Sequence, residues 1–138
     1  MTKDELIKLI NDDLSKEYAA AVQYIQHAAV LKGAKYQAMQ KELLVHANEE
    51  IMHANSLATQ IDFLGGTPTV EVAERHVSDN STEMLKQDLA GEKDAVIRYK
   101  ARVKQANDLG EYGLENVLKN ILSMEEEHVQ DLETALDE

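Results

Sequence analysis

The sequence predicts an all-α protein: a bundle of four long helices, set as two antiparallel hairpins joined by a long crossover, with an internal pseudo-two-fold repeat. Three observations carry this. Apolar residues recur at helical spacing through four segments. Turn-forming residues are few, with only 6 Gly and 1 Pro. One set of Glu and His residues occurs twice, at a constant offset of 75 positions. The 138 residues make one domain, residues 1–138.

The elements follow in order. Thr2-Lys3-Asp4-Glu5 reads as a capping box that starts the first helix, with Thr2 as N-cap and Glu5 reaching back. Leu6, Leu9, Ile10, Leu14, Ala21, Ile25 and Ala28 form its apolar face, and Gly33 ends it. The second helix runs from about Tyr36 to Leu64 and stops at Gly65-Gly66. Residues 65–80 hold the single proline, Pro68, and read as a connection. Asn80 with Glu83 caps the third helix, which runs to about Asn107. After the Asn107–Gly110 turn the fourth helix continues to about Leu136. Helices this long, far above the mean of about 11–12 residues, need lateral packing to be stable. The two short turns make antiparallel pairs. The 16-residue connection reaches ~50 Å when extended, against ~40 Å for one helix, so it can span the bundle and leave the third helix parallel to the second.

Charge and composition exclude several functions. Asp plus Glu is 26 against 14 Lys plus Arg, a net charge of −12, which opposes phosphate neutralisation and therefore nucleic-acid binding, and also docking on an anionic membrane. No run approaches the ~18 apolar residues of a membrane span, and Met1 to Glu5 lacks the apolar core of a signal peptide. The absence of Cys excludes disulfides, thiolate metal sites and thiol catalysis, and a reducing cytoplasm is the expected location.

What remains is chemistry by Glu, Asp, His and Tyr. Glu50-x-x-His53 and Glu125-x-x-His128 each follow a Glu by 33 residues, Glu17 and Glu92. One Glu-x-x-His is common in a Glu-rich chain; the matched upstream Glu in both halves is not. Residues i and i+3 share a helix face. The midpoint of 17 and 50 falls beside Gly33, and that of 92 and 125 falls in the Asn107–Gly110 turn. Each hairpin therefore delivers two Glu and one His to one height, and six candidate ligands converge: Glu17, Glu50, His53, Glu92, Glu125 and His128. Four carboxylates buried together require cations, and two divalent ions supply the charge. Carboxylate oxygen with imidazole nitrogen suits Fe(II), Mn(II) or Zn(II). Di-iron and di-manganese bundles use this same pattern of ligands.

Further Tyr, His, Met and Glu residues have expected places. Tyr24 and Tyr99 obey the 75-residue offset and stand seven residues after Glu17 and Glu92, as supports for the ligands, electron donors or plain core tyrosines. His46, four residues before Glu50, is a candidate to orient a ligand, to bind a third ion or to fill the core; its counterpart is Ile121, so the repeat breaks there. His27 and His76 are expected on the surface. Met39, Met52, Met84 and Met124 are expected to fill the core. Glu126 and Glu127 are expected in solvent.

Together these residues resemble the bacterioferritins of the ferritin-like superfamily. The likeness spans nearly the whole chain: Glu17 with Gln23-Tyr24, Glu50 to His53, Phe63-Leu64-Gly65-Gly66-Thr67-Pro68, Met84 to Glu92, and Glu125 through His128 to Leu132-Glu133. The resemblance implies a ferroxidase centre in which the six ligands hold two irons, with Glu50 and Glu125 bridging, and Fe(II) is oxidised by O2 or peroxide. Bacterioferritins bind haem through a Met directly after the first Glu of Glu-x-x-His. Ile51 stands there, and Met52 is turned by about 100° on the helix, so haem is not expected. The family's cages use a short fifth helix, for which the chain ending at Glu138 leaves no room, so a homo-oligomer, a dimer or larger, is expected rather than a 24-subunit shell. Rubrerythrins are similar too, but carry a further Glu where Ala95 stands. The expectation is a small iron-oxidising protein. The alternatives are a di-iron peroxidase or oxygenase, and a bundle holding Zn or Mn structurally.

Overall fold

The computed structural model describes residues 1–138. Four helices account for most of them: α1 (Lys3–Val30), α2 (Gln37–Phe63), α3 (Ser81–Asp108) and α4 (Tyr112–Leu136). The Thr2 capping box forms, with the Glu5 amide donating to Thr2 Oγ1 at 3.1 Å and the Thr2 amide to Glu5 Oε2 at 3.4 Å. Asn80 caps α3 by accepting from the Glu83 amide at 2.9 Å. Between α1 and α2 the chain takes one 3-10 turn, Ala34–Tyr36, so α2 starts one residue later than the sequence predicts.

Gly66 marks the end of α2 for a packing reason. A Cβ there would stand 2.6 Å from Ile7 Cγ2 and 3.1 Å from Ile61 Cγ2, so only glycine lets the chain fold back over α1. Beyond it the crossover runs along α1 from end to end. Asn11 donates to the Thr67 carbonyl and accepts from the Thr69 amide, Tyr18 donates to the Thr69 carbonyl, and the His76 amide donates to Gln23. Side chains of α1 thus satisfy backbone groups that have no helix or strand of their own.

Cross-bundle pairs fix the directions. Between α1 and α3 the partners are 13 with 102, 17 with 99, 24 with 92 and 27 with 88, one number rising as the other falls. Between α2 and α4 they are 46 with 131, 49 with 128 and 53 with 124. Both pairings are antiparallel, so α3 runs parallel to α2, as the length of the crossover predicts.

The apolar interior is split in two. One cluster, including Leu6, Ile10, Leu57, Ile61 and Leu118, fills one end. The other, including Leu31, Leu43, Leu85 and Leu132, fills the opposite end. Buried polar side chains occupy the level between them. Two apolar assignments are corrected. Met84 is core, but Met52 is 61% exposed, because Glu50 and His53 take the inward positions and Met52 lies about 200° round the helix from Glu50. Ile25 is likewise half exposed, since Tyr24 and Ala28 face inward on that turn.

Candidate metal centre

At the polar level, Glu17 on α1, Glu50 and His53 on α2, Glu92 on α3, and Glu125 and His128 on α4 come together, each no more than 3% exposed. The helical i, i+3 spacing aims each Glu and His of a pair to the same side. His53 turns Nδ1 inward, 3.2 Å from Glu50, 3.3 Å from Glu125 and 3.6 Å from Glu17. His128 does the same, with Nδ1 at 3.2 Å from Glu92, 3.3 Å from Glu125 and 3.4 Å from Glu50. Two groups of four ligand atoms result, Glu17-Glu50-His53-Glu125 and Glu50-Glu92-Glu125-His128, the atoms of each lying within 4.8 Å of one another. Glu50 and Glu125 belong to both.

The outward nitrogens are held too. His128 Nε2 faces Glu49 at 3.4 Å, and His53 Nε2 faces the Met124 thioether at 3.2 Å. Tyr24 donates to Glu92 at 2.6 Å and Tyr99 to Glu17 at 2.5 Å. Burial, followed by neighbouring carboxylates, pushes both phenols well above their ordinary values, so they act as hydrogen-bond donors.

Burial and mutual contact set the electrostatics of these six groups. Burial raises Glu17, Glu50 and Glu92, with Glu125 the next cause for Glu17 and Glu92; Glu92 reaches about 8. Burial also opposes ionisation of Glu125, but hydrogen bonds from His128 and His53 outweigh it and lower that group. Burial disfavours charge on His53 and His128, yet their carboxylate partners lift them to about 9 and about 11. Protons therefore do the charge balancing of the metal-free protein. Glu17 Oε2, Glu50 Oε1, His53 Nδ1, Glu92 Oε2 and Glu125 Oε1 are buried without a well-aligned hydrogen-bond partner, and all belong to these two groups. Such orphaned atoms, with hard oxygen and imidazole nitrogen donors, fit two divalent cations.

Sequence reasoning missed a layer of support. Asp13, fully buried, accepts from Arg98 at 2.6 Å and Arg102 at 2.7 Å. Asp88 is its counterpart, with Gln23 donating at 2.9 Å and His27 Nδ1 at 2.9 Å from both its oxygens. The pairs 13 and 88, 23 and 98, and 27 and 102 all keep the 75-residue offset, as do Glu49 and Met124. Extending that offset beyond the Glu and His residues would have found them. His27 is thus fully buried and not on the surface, because Asp88 and the His76 carbonyl take both ring nitrogens. His76 is exposed as expected, and so are Glu126 and Glu127.

A cleft of about 510 Å³ opens between α1, α3 and the crossover and reaches Glu17, Glu50, Glu92 and Glu125. Its walls carry Glu74, Glu83 and Asp94 beside Lys16, Lys86 and Arg98.

Comparison with known proteins finds relatives over nearly the whole chain. The ferritin-like domain family profile matches residues 7–138. A bacterioferritin of Brucella melitensis is 34% identical over 134 residues, covering 96% of this chain and 83% of that protein. A ferritin-like diiron-carboxylate protein of Bacillus anthracis superposes with a TM-score of 0.93 at 31% identity, over 99% of both chains. A dodecameric thioferritin of Bacteroides fragilis, described as bacterioferritin-related, gives 0.92 at 31% identity, over 99% of this chain and 87% of that one. No helix is long and apolar enough to cross a membrane.

Proposed function

The chain belongs to the ferritin-like family, among proteins related to bacterioferritin, and from that premise we propose that it binds two Fe(II) ions in the Glu/His centre and oxidises them with O2 or peroxide. The observation that carries the reading is the sharing of Glu50 and Glu125 between two otherwise separate ligand groups. Shared carboxylates hold two ions side by side, which suits delivery of two electrons to one oxidant molecule. Iron is the substrate: each ferrous ion loses one electron, and the oxidant takes two electrons and two protons.

The protein's part is binding, charge and access. His53 and His128 supply the nitrogen donors, and Glu17 and Glu92 close the outer ends of the two groups. Tyr99 and Tyr24 hold those end carboxylates in place. Protons on the carboxyl and imidazole groups are displaced when cations enter. The cleft offers ions and a small oxidant a route inward, with acidic Glu74, Glu83 and Asp94 along it. Exposed Val22 and Ile25 on α1 and Leu44, Ile51 and Met52 on α2 offer an apolar face to a second copy, in keeping with a homo-oligomer.

Stopped-flow absorbance tests the reading. Metal-stripped protein given two Fe(II) per chain and mixed with O2 is expected to form ferric absorbance faster than Fe(II) in buffer, and prior Zn(II) loading is expected to suppress it. Oxidation no faster than buffer supports a structural Zn or Mn bundle instead.

A further inference from the structure

The two groups of candidate ligands are built alike where they face inward. Moved by 75 residues, Glu17, Glu50 and His53 become Glu92, Glu125 and His128. His53 Nδ1 stands 3.2 Å from Glu50 and 3.3 Å from Glu125; His128 Nδ1 stands 3.3 Å from Glu125 and 3.4 Å from Glu50. Each end carboxylate accepts from a tyrosine of the opposite half.

The halves differ on their outward side. His128 Nε2 faces the Glu49 carboxylate at 3.4 Å, whereas His53 Nε2 faces the Met124 thioether at 3.2 Å. Glu49 and Met124 are themselves 75 residues apart, so equivalent places carry an acid behind one imidazole and a neutral sulfur behind the other. An imidazole that gives Nδ1 to a cation keeps its proton on Nε2, where it needs an acceptor. A carboxylate there fixes the tautomer and makes Nδ1 a stronger donor. A thioether is a weak, uncharged acceptor and does little of this. The end carboxylates differ in the same sense: Glu92 stands 3.2 Å from His128, while Glu17 stands 3.6 Å from His53.

We propose that Glu49 and Met124 set an order of affinity between the two cation positions, the one beside Glu92 and His128 binding tightly and the one beside Glu17 and His53 loosely. Glu49 is a positioning residue that acts through His128. Met124 leaves His53 the weaker donor. This order rests on the dinuclear reading above, and within that function the ion beside His53 is the one that exchanges.

Two cations repel each other, so unequal binding steps would arise even in identical halves. Where the first ion goes decides the matter. Anomalous diffraction from crystals of the full chain given one Co(II) per chain reads this directly. Cobalt is expected beside Glu92 and His128 with about tenfold the occupancy of the position beside Glu17 and His53. Equal occupancy overturns the order.

The buried His46 ring also stacks on His128, with centroids 4.0 Å apart, and its counterpart is Ile121. Met124→Glu separates that packing from the outward partner. The variant is expected to gain affinity beside His53 and bring the two occupancies together, a gain that damage to the fold does not produce. Glu49→Gln, at a side chain 23% exposed, is expected to lose the preference from the other side. A preference unchanged in both variants overturns the role of these two residues. Calorimetric titration of the wild type with excess Co(II) tests the underlying reading separately. Fewer than two ions per chain overturn the dinuclear centre; two ions with equal first occupancy overturn only the order.

Discussion

Tyr24 on α1 donates its hydroxyl to Glu92 on α3 at 2.6 Å, reaching across to the candidate ligand of the opposite half. Tyr99 repeats the contact in reverse, donating to Glu17. Each half of the repeat therefore steadies the other's end carboxylate. Tyr24→Phe is expected to weaken cation binding at the Glu92 half by roughly 10–100-fold, with helicity unchanged. Calorimetric titration with Co(II) measures it; unaltered affinity contradicts a supporting role.

Glu92→Ala removes a ligand of one group only. The variant is expected to lose one ion of the dinuclear pair while keeping its far-ultraviolet circular dichroism. Retained oxidation at the wild-type rate would count against the centre.

The metal-free protein is expected to lose stability as pH rises from about 6 to about 9. Glu92 is raised to about 8, and His53 to about 9. A group with a raised folded value favours folding most below its unfolded value and loses that contribution as pH passes the folded one. Glu125 has the opposite sign, but its lowered value acts only in acid. Thermal melts across this range, with and without Zn(II), test the point: bound cation is expected to flatten the profile, because it replaces the protons.

Asp13 tests the support layer. Asp13→Ala leaves the buried Arg102 without its partner, and removing one member of a buried pair costs ~3–5 kcal/mol. Urea unfolding measures it. A loss below ~1 kcal/mol means that the pair is solvated and weak.

Gly66→Ala is expected to destabilise by ~1–3 kcal/mol, because its Cβ meets Ile7 and Ile61 in a filled core. The same unfolding assay reads this change.

The long helices, the crossover and the convergence of six Glu and His side chains were legible in the sequence, because helical period and a duplicated spacing are signals that survive folding. Burial decided by tertiary contact was not. His27 stands beside Ala28 and one turn from Tyr24 on a buried side of α1, but its own polarity reads as surface; Asp88 and the crossover carbonyl bury it. Met52 has a core composition but the wrong angle, since its neighbours Glu50 and His53 claim the inward face. Asp13 and Arg102 carry no mark of burial in the sequence, because a charge says nothing of its partner 89 residues away.

Anomalous diffraction from crystals loaded anaerobically with Fe(II) tests the central claim most directly. The account predicts two peaks roughly 3.5–4 Å apart among the six residues, both within bonding reach of Glu50 and Glu125. A single peak there, or iron confined to surface carboxylates, would contradict it.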